Sequence, residues 1–334
     1  MKATNIFKDK NFIKCLRYNT FDSKYNYIEI FNKKGEIIEE NIDKIIYINC
    51  LDCRIINIEG ISIFKNLKIL KLTFNRIEKL PSEIDNLKNL EKLFLSYNKI
   101  KELPSEIGKL RNLKLLDLKH SRIKRLSKEI GNLKNLEILD LAENKLQHLP
   151  EEIWNLVNLK ELYLYRNQIK ILPNEIEKLK NLKVLKLYNN QIKKISKEIW
   201  NLINLEILDL EGNELQYLPK EIGNLKKLEI LNLENNKLQW LPIEILELDK
   251  LKKIRLYNAF DLNNLNQEPK ILLDILKKLE EKKTNEEKKI LDIKSLKYLE
   301  EEVYPILAEK TKEKYKIDNL KKIKSDLNLN NLSF

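Results

Sequence analysis

Apolar residues recur along this chain with a period of 23 residues, from Leu67 to Asp249–Lys250, without an insertion. Eight copies begin at Leu67, Leu90, Leu113, Leu136, Leu159, Leu182, Leu205 and Leu228; the copy from Leu159 to Asn181 reads LKELYLYRNQIKILPNEIEKLKN. Positions 1, 4, 6, 11, 14, 18 and 21 are Leu or Ile in all eight. One such unit cannot bury its apolar face alone, so neighbours must stack and share a core. The LxxLxL stretch alternates, which predicts a short strand with positions 4 and 6 inward and positions 3, 5 and 7 outward. Position 9 is Asn in seven copies, with Ser121 the exception. A buried Asn both donates and accepts, so it can satisfy backbone groups where the chain leaves the strand. Position 15 is Pro in six copies and Ser in two, Ser127 and Ser196. Pro followed two residues later by Glu predicts the first turn of a short helix or 3₁₀ segment.

Outside the array the pattern breaks. Residues 1–44 lack the period. There YNYIEIF (Tyr25 to Phe31), a turn at Asn32 to Gly35 and EIIEE predict a β-hairpin capping the open end of the stack. A shorter first repeat starts at Ile45, and a partial last one fades near Leu262, which bounds the solenoid at 45–262. Region 263–334 reads as helical. Pro269 opens a helix with Ile271, Leu272, Ile275, Leu276 and Leu279 on one face, expected to cap the last repeat. A second helix is predicted from Asn285 to Val303, stopped by Pro305, and a weaker amphipathic segment contains Ile317, Leu320, Ile323 and Leu327.

The motif LxxLxLxxNxI/L, as in Leu136, Leu139, Leu141, Asn144, Leu146 and in Leu182, Leu185, Leu187, Asn190, Ile192, resembles the leucine-rich repeat family. The tail LPxEIxxLxN is similar to its intracellular Ras-group type, also common in bacterial members. The resemblance implies an α/β solenoid: a horseshoe with a parallel β-sheet on its concave face. It also implies a non-enzymatic scaffold that binds a protein or peptide on that sheet, although fold alone does not name a partner.

Composition sharpens this only in places. Sixty-three Lys and Arg oppose 51 Asp and Glu, a net charge of +12. No run approaches the roughly 18 apolar residues that span a bilayer, and the N-terminus has no apolar signal core. A monomeric cytoplasmic protein is expected, with signal-less secretion compatible. Six glycines form no phosphate-binding loop, His120 and His148 are isolated surface positions, and no Cys follows Cys53, so no catalytic site, cofactor or metal is expected. Cys50 and Cys53 fall on positions 6 and 9 of the first repeat; they read as structural, and three cysteines predict no disulfide framework.

Partner binding is expected from the outward strand positions. Tyr163, Tyr165 and Tyr188 come from adjacent repeats, with Arg166, Lys186 and Asn189 beside them and Asp140 and Asp209 to either side. Phe94 and Tyr97, near Phe74, form a second aromatic group. Tyr and Arg dominate interface energies, which makes these the candidate anchors. Positions 10, 12 and 13 hold twelve basic residues against three acidic ones, including Arg76, Lys101, Arg122, Lys124, Arg125, Lys170, Lys193 and Lys194. This basic rim supports a second reading, an anionic polymer or acidic surface such as nucleic acid. The absence of a nucleic-acid motif and of aromatics along most of the rim disfavours it.

Overall fold

In a computed structural model, which describes residues 2–282 and 290–312, the alternating segments form an eleven-stranded sheet in sequence order. β1 (Thr20–Phe21) pairs antiparallel with β2 (Tyr47–Asn49). From β2 onward every pair is parallel: β3 (Ile69–Lys71), β4 (Lys92–Phe94), β5 (Leu115–Asp117), β6 (Ile138–Asp140), β7 (Glu161–Tyr163), β8 (Val184–Lys186), β9 (Ile207–Asp209), β10 (Ile230–Asn232) and β11 (Lys253–Arg255). Each register step is one repeat, so Asp117 faces Asp140, Asp140 faces Tyr163 and Tyr163 faces Lys186. The Leu and Ile columns inside are buried at every regular repeat except at Leu149, which is partly buried.

The position-9 asparagines behave as their chemistry requires. Asn144 Nδ2 donates to the carbonyls of Leu141 (3.0 Å) and Leu118 (2.9 Å), while its Oδ1 accepts from Ile123 N (2.8 Å). Asn190 and Asn213 repeat the pattern one repeat apart each time. Each side chain therefore joins two rungs. On the outer wall each repeat has one 3₁₀ segment, such as Ser105–Lys109, Lys128–Asn132, Glu151–Asn155 and Asn174–Lys178.

Position 19 sets how closely these segments pack. A Cβ on Gly108 or Gly131 would meet the carbonyl of Glu129 or Glu152 at 2.5 or 2.3 Å, so glycine lets the next segment close in. Trp154 and Trp200 occupy the same position and are wholly buried, and the segments that follow them pack less closely.

The N-terminal cap differs from expectation. The turn at Asn32–Gly35 forms, with Gly35 at φ 74° and Phe31 bridged to Ile37, but EIIEE does not stay extended: its last residues start α2 (Glu39–Ile42). A helix the periodicity missed, α1 (Lys10–Leu16), packs Phe12 and Leu16 into the cap with Phe7, Phe31 and Phe64. Asp9 caps this helix through Oδ1, and its Oδ2 accepts from Ile56 N (2.6 Å) and Asn57 N (3.1 Å), tying the cap to the first repeat. A disulfide joins Cys15 to Cys50, where none was expected, because α1 brings the two Cα atoms to 5.7 Å. Cys53 keeps a free thiol 3.0 Å from Cys15 Sγ, and burial raises its pKa.

At the other end α3 (Pro269–Glu281) starts at Pro269 and buries Leu272, Ile275, Leu276 and Leu279, while Ile271 stays exposed. The second helix is corrected at both ends. α4 (Ile293–Tyr298) is capped by Asp292, with Asn285 outside the described residues, and helical backbone continues past Pro305 to residue 312. A π turn at Leu299–Val303 precedes Pro305; widening the coil there accommodates a ring that removes a donor and crowds the preceding turn. The segment around Ile317 to Leu327 lies outside the described residues. β11 is not left as a bare edge: Ile254 bridges Leu291, and Leu256 N donates to Ser295 Oγ (2.8 Å). Among the described residues no helix is long and apolar enough to cross a membrane.

Candidate functional site

Where each strand ends, the chain must turn outward, and it does so at position 8 with a left-handed backbone. Phe74, Tyr97, His120, Glu143, Arg166, Asn189, Gly212, Asn235 and Asn258 all have φ between 50° and 61°. Gly and Asn adopt this region readily, whereas other side chains pay about 1–2 kcal/mol for it. Five consecutive repeats nevertheless carry Phe, Tyr, His, Glu and Arg. Their side chains point out beside those of position 7 and form one continuous strip.

The strip starts with stacked rings, Phe74 on Tyr97 at 4.4 Å and Tyr97 on His120 at 4.8 Å. Glu143 comes next and gathers Lys119 at 3.2 Å, the His120 ring through Nδ1 at 3.4 Å and Arg166 at 3.9 Å. Lys119 also lies over the rings of Tyr97 (5.8 Å) and Tyr165 (5.4 Å), so it joins the two aromatic groups that sequence reading kept apart. The Tyr165 hydroxyl and the Glu143 carboxylate hold its ammonium above the usual lysine range. Tyr165 and Tyr188 close the strip, stacked at 4.2 Å and 9°. Burial pushes the Tyr188 phenol up to about 12.

Tyr163 shares the wall with this pair, but its hydroxyl donates to Glu161 (2.6 Å) and Lys186 sits over its ring at 5.7 Å. Phe94 is half-buried with Lys71 at 5.5 Å from its ring centre. Asn189 folds over Gly212, where a Cβ would lie 2.2 Å from its Oδ1. The position-5 column supplies acid. Burial raises Asp117 and Asp209, and it pushes Asp140 up to about 6; the hydrogen bond from Ala142 N offsets that burial only in part, and the Asp117 charge adds a smaller repulsion.

Sequence reasoning missed Lys119 and His120 as members of the site, and it set Glu143 only to one side of the tyrosine group. The signal was a bulky residue just before the position-9 Asn, where glycine or asparagine would be unstrained. The basic rim residues Arg76, Lys101, Arg122, Lys124, Arg125, Lys170, Lys193 and Lys194 are all exposed, away from the strip along one lateral edge. Among the described residues no group of three His, Cys, Asp or Glu is placed to hold a metal ion.

A family model described as leucine-rich repeat region matches residues 45–118 and 106–211, and one described as leucine rich repeat matches 204–225. No curated protein matches. Among solved structures, the functional domain of InlJ from Listeria monocytogenes is similar at 20% identity and a TM-score of 0.64, over 76% of this chain and 51% of that one. Internalin C2 from Listeria monocytogenes is similar at 21% identity and a TM-score of 0.54, over 75% and 94%. Both likenesses speak for the fold alone. The ectodomain of the plant membrane receptor kinase GASSHO1/SCHENGEN3 from Arabidopsis thaliana, in complex with Casparian strip integrity factor 2, is similar at 32% identity and a TM-score of 0.56, over 61% of this chain and 25% of that one. The chain thus spans half of the InlJ domain and a quarter of the plant ectodomain.

Proposed function

Since this chain belongs to the leucine-rich repeat family, we propose that it is a binding scaffold that holds a protein or peptide against the concave strip from Phe74 to Tyr188. The observation that carries this reading is the column of five bulky side chains kept on left-handed backbone. Strain maintained at neighbouring positions argues for a use of the surface it creates. The strip offers stacked aromatic anchors around a paired charge cluster, the composition of an interface centre. The plant ectodomain crystallised with a partner supports the same mode.

Photo-crosslinking from position 188 in the full chain tests it, comparing wild type with Tyr97→Ala/Tyr165→Ala. Loss of the crosslinked partner is expected; equal recovery from the double variant rejects the strip as the binding surface. The polyanion reading predicts instead that RNA binds and weakens steeply with salt.

A further inference from the structure

We propose that the lateral edge of the fifth to seventh regular repeats is a second binding site, distinct from the concave strip, for an acidic peptide segment bearing one apolar anchor side chain.

A groove of 820 Å³ opens there across three rungs. Its walls come from position 13, which is Lys79, Glu102, Arg125 and His148 in the first four regular repeats but Ile171, Tyr217 and Trp240 in three of the last four. Ile171 is 75% exposed and Tyr217 is 42% exposed, on alternate rungs with Lys194 between them. Apolar side chains this open, on the two walls of one groove, mark a surface built to be covered. Beyond Tyr217 the wall continues, because Tyr217 and Trp240 are bridged as parallel neighbours and flank a second hollow of 310 Å³.

The groove is also polar in a specific way. Ser196 replaces the Pro that six repeats carry at position 15. The other replacement, Ser127, gives its hydroxyl to Glu129 at 2.8 Å. The Ser196 hydroxyl is buried in the groove lining with no hydrogen-bond partner among the described residues. An unsatisfied buried hydroxyl is costly and awaits a partner from outside.

Charge selects the ligand. Lys170, Lys193 and Lys194 line the groove against one acid, Glu214, which already lies 3.7 Å from Lys193 and 3.8 Å from Lys237. Lys170 and Lys194 have no carboxylate partner among the described residues. A purely ionic ligand would leave Ile171 and Tyr217 uncovered, and a purely apolar one would desolvate two free ammonium groups. An extended peptide with carboxylates on either side of a Leu, Phe or Trp satisfies both and brings carbonyls to Ser196. Three rungs span about 10 Å at the usual strand spacing, room for about three extended residues.

A random twelve-residue display library selected on the full chain supplies the probe, and the enriched peptides are measured as fluorescein conjugates by anisotropy. Enrichment of two or more Asp or Glu around a single large apolar residue is expected. Ile171→Ser/Tyr217→Ser and Lys170→Glu/Lys194→Glu should each weaken binding by at least about tenfold, while Tyr165→Ala/Tyr188→Ala leaves it unchanged. Ser196→Pro separates fold from recognition. Ser196 sits at φ −63° and ψ 148°, which Pro adopts, so the variant should melt no lower than wild type yet bind several-fold more weakly. Failure to enrich acidic–apolar peptides overturns the proposal. So does a peptide indifferent to the groove variants, or one displaced only by lysine changes and competed by heparin, which would make the edge a simple charge patch.

Discussion

The first five regular repeats and the three that follow run through the same turn, yet they fill its left-handed corner in opposite ways. From Phe74 to Arg166 the corner holds large or charged side chains; at Asn189, Gly212 and Asn235 it holds residues that suit the backbone. On the lateral edge the contrast reverses. Position 13 is charged or polar in the first four repeats and apolar in three of the last four, a switch that comes one repeat earlier than the one at the corner. Since the strands, the Asn ladder and the core are alike in both halves, the difference cannot be about holding the stack together. It separates what the fold needs from what the surface is for, and it places a different exposed face in each half.

The comparison breaks if the halves are not equivalent inside. Asn144→Ala and Asn213→Ala should cost nearly the same, about 2–4 kcal/mol each, because both leave buried backbone groups unpaired; urea unfolding followed by circular dichroism measures it. A large gap between them would mean that the two halves already differ in their scaffold. A smaller effect sharpens the contrast at position 8. Tyr97→Asn should relieve strain as it loses ring stacking and leave stability nearly unchanged, whereas Asn235→Tyr should destabilise by about 1 kcal/mol. The smallest effect is one of pH. Asp140 titrates near 6 when folded, above its ordinary value of 3.8, so the folded state holds its proton more tightly. Stability from this group is present below about pH 4 and is lost as pH rises through about 6. The melting temperature of wild type relative to Asp140→Asn should fall over that window, and parallel curves would show that the carboxyl is not buried by its neighbours.

The rungs, their register and the columns they create could be read from spacing alone, because a fixed period leaves one way to stack units with a single apolar face. Tyr163, Tyr165 and Tyr188 met on one wall for that reason. What escaped were features set by contact between segments without a period. α1 depends on Asp9 reaching the first repeat, and Cys15 finds Cys50 only once that helix has docked. The turn at position 8 escaped because its usual markers are missing: Phe74, Tyr97 and His120 give no hint of left-handed backbone, so Lys119 and Glu143 could not be joined to the aromatic groups. Pro305 misled for a similar reason, since nothing in its neighbours announces the wide turn that lets the helix pass.

The use of glycine at Gly108 and Gly131 but tryptophan at Trp154 and Trp200 on the outer wall has a wider consequence. Strands keep an almost constant pitch on the inside, so whatever spreads the outside bends the ribbon there. Curvature is thus adjustable one rung at a time by a residue buried on the outer wall, away from the concave strip. A lineage could reshape its grip for differently rounded targets while every side chain in the palm stayed the same.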